Sequence, residues 1–545
     1  MERNFSSFNK TLPHTCAIHR KWWTNFLKIS LAIVSASSTF TGGMLQVLPQ
    51  TSNSLPLQSG DVVAASVDIT RLGQTIPWSF SGFSLEYGDV LNFTGKTSTN
   101  VNPVFVQLLK NIGKFNSGAP SVRVGGNSTD KSWWNPNGLP KPPGVIYNIT
   151  DTDLSSLETS LSQTGSKLIL GLNLAQNKPS MAVDFAQATL SRLTSSRLLS
   201  FEIGNEPDIY MYHSYYKDSA NGDTVYVRPS DYTFNKYLSE FTNYSTTLKN
   251  SFSTMPPLAG TVFTTSIYGW MQHLPTFLSN QSKMVNLITY HRYPLSACSW
   301  SQPGSSTYPT ISNLLSDKAS LNLAQEIAVF VNQAKKYGHS LLLSEMNSVS
   351  CGGTDGVSNT FASALWGTDA MFNLASVGVK GVNFHSGSDS HYTPFSFNVF
   401  KSSSDRYVYK PTVKPLYYGM LLFAQATSNK SRLLPVSFQT TGNVKVWATM
   451  DSQKVVRVVA INKDLHASGN ARIQLSSPRS SGSLVRLEAP TVSATTGITL
   501  GGQTFDGTTT GNPVGTDVST IVTPANGTYT FSLPAASAAL LTINP

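Results

Sequence analysis

"LLSFEIGNEPDIY" (residues 198–210) opens as an apolar run and closes on Asn-Glu-Pro. A strand buried on both faces reads as a continuous apolar run, and Leu198, Leu199, Phe201 and Ile203 fit one. Glu202, Asn205 and Glu206 do not belong in such an interior unless something uses them. Pro207 cannot donate to a sheet ladder, so the strand stops before it and leaves Glu206 at its C-terminal lip. In a (β/α)8 barrel that lip carries the catalytic side chains. An ordinary strand end with a solvated Glu satisfies this stretch equally well, so the choice falls to the rest of the chain.

From residue 79 onward, short apolar runs alternate with helical patterns. The expected strands are residues 80–88, 121–127, 167–174, 198–206, 258–263, 285–293, 340–347 and 378–385, and eight is the number a TIM barrel needs. Between them, segments such as "MAVDFAQATLSRL" and "LAQEIAVFVNQAKKYG" repeat apolar residues at i, i+3, i+4 and i+7. Such alternation predicts a parallel sheet with helices outside it, and "KPLYYGMLLFAQAT" (414–427) supplies the eighth helix. After about residue 430 the texture changes. "VKVWATM", "KVVRVVAIN", "ARIQLSS", "LVRLEAP", "YTFSLP" and "AALLTIN" are strands between Gly, Ser, Asn and Asp turns, which predicts an all-β sandwich. "DVVAASVDIT" (61–70) alternates like a strand ahead of the barrel and is expected to join that sandwich. The expected α/β organisation is a leader over 1–50, a catalytic barrel over 75–428, and a β-sandwich made of 60–74 plus 429–545.

A chain of 545 residues exceeds what one core usually supports. Only 12% of it is charged, against about 25% in an average soluble domain. Asn-X-Ser/Thr acceptors at Asn92, Asn127, Asn148, Asn243, Asn280, Asn429 and Asn526 fit a secreted glycoprotein. "ISLAIVSASSTFTGG" (29–43), preceded by Lys21 and Lys28, has the length of a signal peptide and is short for a bilayer span. Cleavage is expected between Ala36 and Gln50. The long upstream extension leaves a downstream start or a weak membrane anchor open, but no stable membrane association is expected. Removing residues 1–40 takes away five Lys/Arg and one acid, which lowers the formal charge from +10 to +6. That excess suits an anionic substrate, while no Lys/Arg run marks nucleic-acid binding. Cys16 falls in the leader. Cys298 and Cys351 remain, after strands six and seven on neighbouring loops, as a disulfide candidate in an oxidising compartment; two free thiols are the alternative. With no Cys/His cluster at zinc spacing and no phosphate-cradling loop, no metal and no cofactor are expected.

Strand seven ends in "LLLSEMN", which puts Glu345 at the same lip as Glu206. Glycoside hydrolysis with retention uses two carboxyl groups about 5–5.5 Å apart, one a nucleophile and one a proton donor. Asn205 has a reason too, because a side-chain amide there can hold a sugar 2-hydroxyl.

These motifs resemble glycoside hydrolase family 79, the β-glucuronidase and heparanase family. "RVGGNSTD" (123–130), "GLNL" (171–174), "IGNEPD" (203–208), "SEMNSVSCGG" (344–353), "DSHYTPF" (389–395) and "KPLYYGMLLFA" (414–424) fall in that family's order, and the resemblance covers residues 60–545. It implies Glu206 as acid/base and Glu345 as nucleophile. It also implies a substrate carboxylate held by the backbone amides of Ser350, Cys351, Gly352 and Gly353 and by Tyr392. Gly lets N–H groups approach an anion closely, and a phenol can donate to it. Ser350, where the family commonly has an aromatic, and Cys351 depart from the pattern and put the loop's side chains in question. Tyr293, with Tyr290 and His291 beside it, is the choice for an aromatic that hydrogen-bonds the nucleophile; rim packing is the alternative. Glu86 either binds sugar hydroxyls or forms a structural ion pair with Arg123, and Asn127 faces the site from the end of strand two. His385 and His391 are given no catalytic role.

The expected function is exo-acting release of terminal β-linked glucuronic acid, with or without a 4-O-methyl group, from a glycan. An endo-β-glucuronidase acting on glycosaminoglycans is the alternative within the enzyme class, and it would want basic flanks for sulfated polymer. The insertion "HSYYKDSANGDTVYVRPSDY" (213–232) after strand four could instead wall off one side of the site. A secreted carbohydrate-binding barrel, the non-enzyme alternative, would keep the fold and lose a carboxylate.

Overall fold

The computed structural model describes residues 54–115, 117–264 and 269–545. The expected leader and its cleavage site lie outside these residues. Eight parallel strands close a barrel: β1 (Ser81–Glu86), β2 (Val122–Gly125), β3 (Leu168–Leu172), β4 (Leu198–Ile203), β5 (Leu258–Phe263), β6 (Leu287–Arg292), β7 (Leu341–Met346) and β8 (Val382–Ser386). They pair in chain order, and β8 closes on β1. The helices outside are α1 (Pro103–Gly113), α2 (Asp151–Ser162), α3 (Pro179–Arg192), α4 (Phe234–Ser251), α5 (Leu274–Gln281), α6 (Leu321–Lys336), α7 (Phe361–Ser376) and α8 (Pro415–Ala426).

Local chemistry sets these boundaries. Asn102 caps α1 by accepting from the N–H groups of Val104 and Phe105, with Pro103 at the first helical position. Strand eight begins four residues later than the sequence pattern suggests. Gly378, at φ 90°, ends α7, and Val379 N–H bonds back to Leu374 O, so residues 378–379 close a helix instead of opening a strand.

The barrel interior is layered. Ile169, Ala259, Leu287 and Leu342 form a small apolar cluster of their own. Arg123, Glu202, Ser84, Thr289, Ser344 and Asn383 are buried polar residues of the barrel strands. Buried polar groups are as a rule paired; Arg123 bonds both Glu202 and Ser84 and this cluster builds the site, while the Thr289 and Ser344 hydroxyls have no hydrogen-bond partner among the described residues.

Two further sheets make the C-terminal domain. In one, Asp61–Val67 lies antiparallel to Val436–Thr440 and parallel to Gly469–Leu475, which pairs in turn with Thr528–Leu533. The other runs through Val444–Met450, Val456–Asn462, Ser537–Ile543 and Gly482–Glu488. Between the sheets Val63, Val446, Val458, Ile473, Phe531 and Leu541 share a core. The outer face of the second sheet contributes Val459, Ile461 and Leu540 to the core of the barrel helices. Trp447 stacks on Phe372 of α7 at 5.5 Å, and Lys463 Nζ reaches Asp369 Oδ2 at 2.6 Å. Among the described residues no helix is long and apolar enough to cross a membrane.

Candidate active site

Arg123, in the middle of β2, has no solvent exposure. Its guanidinium donates through Nε to Glu202 Oε2 (2.6 Å), through Nη1 to Glu345 Oε2 (2.8 Å) and Ser84 Oγ (3.0 Å), and through Nη2 to Asn205 Oδ1 (2.9 Å). The glycines that follow make room. A Cβ on Gly125 would lie 2.5 Å from Arg123 Cζ, and one on Gly126 would lie 2.3 Å from Glu86 Oε1. Glu202, the misfit in the apolar run of β4, is thereby explained as the counter-charge of Arg123.

Glu206 follows β4 with φ 52°, a left-handed conformation that costs a non-glycine residue about 1–2 kcal/mol. Its N–H donates to Val262 O at 3.0 Å, and its Oε1 lies 3.1 Å from His291 Nδ1. Burial, and then the neighbouring Glu345, push its carboxyl up to about 7. Glu345, at the end of β7, accepts from Tyr293 Oη at 2.9 Å on Oε1 and from Arg123 on Oε2. His385 Nδ1 is 3.7 Å and His291 Nδ1 3.9 Å from the same Oε2. Burial opposes its ionisation, yet His385, Arg123 and the Tyr293 hydrogen bond together hold it well below the usual carboxylate range. One oxygen of each carboxyl and a ring nitrogen of His291 all lie within 4.8 Å of one another. This trio has the donors to hold a cation, but the Arg123 guanidinium already supplies positive charge there.

His291 is pushed down to about 4, chiefly by burial, and so stays neutral beside Glu206. His385 goes the other way. Burial would lower it, but Glu345 and Glu86 raise it above its ordinary value.

Asn205 is fixed at three points. Its Oδ1 accepts from Arg123, its N–H donates to Asp130 Oδ2 (3.2 Å), and its Nδ2 points to Asn127 Oδ1 (3.3 Å). Asp130 is itself buried, accepting from the N–H groups of Leu174 (2.9 Å) and Ala175 (3.0 Å) and from Tyr210 Oη (2.5 Å). Glu86 accepts from the N–H groups of Asn127 (3.1 Å) and Ser128 (2.8 Å) and from the Ser128 hydroxyl, with His385 Nε2 3.4 Å away. The alternative ion pair between Glu86 and Arg123 is therefore not formed, because Arg123 is taken by Glu202 and Glu345.

Behind β7, Val349–Ser350 pairs in parallel with Leu295–Ser296, and Cys298 and Cys351 form a disulfide. Gly352 O accepts from His391 N–H at 2.8 Å, which brings the next residue, buried Tyr392, against this turn; its ring lies 6.1 Å from that of Tyr293. His391 itself is a surface residue, 4.0 Å from Asp355. The insertion after β4 folds as a hairpin, Ser214–Lys217 with Thr224–Tyr226, pinned by Tyr215 Oη donating to Asp130 O at 2.8 Å.

Sequence reading missed three contributors. Arg123 was named only as a partner for Glu86, His291 only as a neighbour, and His385 was set aside. The signal for Arg123 was present: a cation inside the apolar "SVRVGG" must be paired, and Glu202 was the unexplained acid. Nothing in the local sequence distinguishes His385 from a packed histidine.

Residues 446–540 match the family model described as "Glycosyl hydrolase family 79 C-terminal beta domain". A protein named beta-glucuronidase from Aspergillus niger is 26% identical over 410 residues, covering 70% of this chain and 71% of its own. One of the same name from Neurospora crassa is 27% identical over 453 residues, covering 74% and 75%. Among solved structures, a 4-O-α-L-rhamnosyl-β-D-glucuronidase from Fusarium oxysporum superimposes with a TM-score of 0.69 at 19% identity, over 88% of this chain and 100% of that one. A closed barrel with two carboxyls at its C-terminal lip is thus joined to a domain that matches the family 79 C-terminal model over residues 446–540, and most of the chain is similar to proteins named beta-glucuronidase.

Proposed function

We propose that the chain is a secreted, retaining, exo-acting β-glucuronidase that removes terminal β-linked glucuronic acid from glycans. The observation that carries the reading is the contrast between the two carboxyls: the partners of Glu345 hold it down as a carboxylate, while burial and Glu345 raise Glu206 to about 7, the range of a proton donor. Ionised Glu345 attacks the anomeric carbon while Glu206 donates its proton to the departing oxygen, giving a covalent glycosyl-enzyme. Glu206, now a carboxylate, takes a proton from water, and the water displaces Glu345. Separation of the carboxyl oxygens within 4.8 Å supports direct attack over a route that fits water between them.

Asn205, its Oδ1 anchored on Arg123, turns Nδ2 toward the sugar 2-hydroxyl. Glu86 and Asn127, beside it, are the nearest polar groups for the other hydroxyls. The substrate carboxylate belongs at Tyr392 and the N–H groups of residues 351–353, supported by the curated relatives' named activity. The hairpin that follows β4, held to Asp130 O and preceded by His213, which acts on the charge of Glu206, supports exo over endo action.

The test is a pair of variants on 2,4-dinitrophenyl β-glucuronide, whose leaving group needs no proton. Glu345→Gln is expected to be inactive. Glu206→Gln is expected to form the glycosyl-enzyme and to be rescued by azide, giving a β-glucuronyl azide. Equal inactivity without azide rescue would overturn the assignment.

A further inference from the structure

Cys351, Gly352 and Gly353 have φ of 59°, 85° and 83°. Successive backbone N–H groups in a turn of this kind can form a concavity that receives an anion. None of these three N–H groups donates to another described residue. Glycine adopts such a φ freely, but Cys351 does so against its Cβ. What holds it is visible on both sides. The disulfide links it to Cys298, Ala297 N–H donates to Ser350 O (3.4 Å), and Ser296 N–H donates to Thr307 O (2.9 Å) so that the Cys298 loop is closed on itself. Ser350 turns its hydroxyl to Cys298 Sγ at 3.4 Å, so its side chain serves the crosslink and not the cleft.

We propose that the Cys298–Cys351 disulfide is a specificity-determining crosslink, which presets the turn at residues 351–353 to receive the substrate's carboxylate. The proposal rests on the β-glucuronidase reading and adds to it a positioning element outside the reacting groups. The crosslink touches neither carboxyl of the catalytic pair, so its loss weakens recognition of the anion and leaves the chemical step in place. A turn ordered before substrate arrives spares binding the ordering cost, and that saving applies only to a substrate that uses the turn.

The test compares Cys298→Ser with the wild type on an aryl β-glucuronide and the matching aryl β-glucoside. In the variant, KM for glucuronide is expected to rise about tenfold, the scale of one backbone residue's ordering, with kcat nearly constant. Kinetics on glucoside are expected to stay unchanged, so the preference narrows by the same factor. A variant that keeps the wild-type preference, or that loses equally on both substrates, overturns the proposal. If the variant does not accumulate, folded wild-type protein reduced under native conditions, with both thiols counted by labelling, gives the same comparison. A wild type that shows no preference for glucuronide would instead overturn the functional reading itself.

Discussion

Glu206 and Glu345 end two strands of one barrel at one lip, yet they meet opposite surroundings. Glu345 faces a guanidinium at 2.8 Å, a phenol at 2.9 Å and a raised histidine at 3.7 Å. Glu206 faces a neutral histidine at 3.1 Å and the other carboxylate. The same side chain thus becomes a charged group in one place and a protonated one a few ångströms away. The difference comes from His385, Arg123 and the Tyr293 phenol, which hold Glu345 down, against burial and the charge of Glu345 itself, which raise Glu206; Arg123 is also shared with Glu202.

The comparison can be broken most severely at its ends. Glu345→Gln is expected to lower kcat by about 10⁴-fold or more on every glucuronide, because the residue acts with its partner as a unit. Replacing Arg123 comes next. Arg123→Leu leaves Glu202 and Glu345 buried without their cation, which is expected to destabilise the fold by about 3–5 kcal/mol in urea unfolding. Arg123→Lys keeps the charge but loses the fork to four partners, and is expected to fall between that variant and the wild type.

The eight strands were legible because each is a short apolar run in a regular alternation. The two lip carboxyls were legible because both glutamates break such a run at its C-terminal end. Their assignment to acid and nucleophile came from resemblance alone, since the physical cause lies across the barrel interior. Arg123 meets Glu345 over 222 positions of sequence, and no local pattern carries that contact. His385 escaped for the same reason: its neighbours Ser84 and Glu86 come from β1, at the other end of the barrel's chain order. The hairpin Phe395–Lys401 with Tyr407–Val413 is not among the expected elements, because Pro411 inside its second strand masks the strand pattern.

Smaller effects sharpen the contrast. Tyr293→Phe removes one hydrogen bond to a charged oxygen, worth about 1.5–3 kcal/mol. That predicts a roughly 10- to 100-fold loss in kcat/KM and an acid limb displaced toward the ordinary carboxylate range. In the wild type, Glu206 must be protonated and Glu345 ionised. Since Glu206 is raised to about 7, kcat/KM is expected to fall as pH rises through that value. The acid limb is expected below the ordinary Glu value of about 4.3, because Glu345 is held down. An alkaline limb that persists unchanged in Glu206→Gln on the dinitrophenyl substrate would assign it to another group. The smallest effect concerns Asn127. It accepts from Asn205 Nδ2 at the site, so peptide mapping is expected to find it without a glycan although its acceptor motif is complete.

The most direct test of the opposed carboxyls is to trap the covalent intermediate. A 2-deoxy-2-fluoro-β-glucuronyl fluoride retains a good leaving group while its fluorine slows release from the enzyme, so the glycosyl-enzyme should accumulate. Proteolysis and mass spectrometry are expected to find the label on the peptide containing Glu345. A label on Glu206, or inactivation that marks neither residue, would contradict the account.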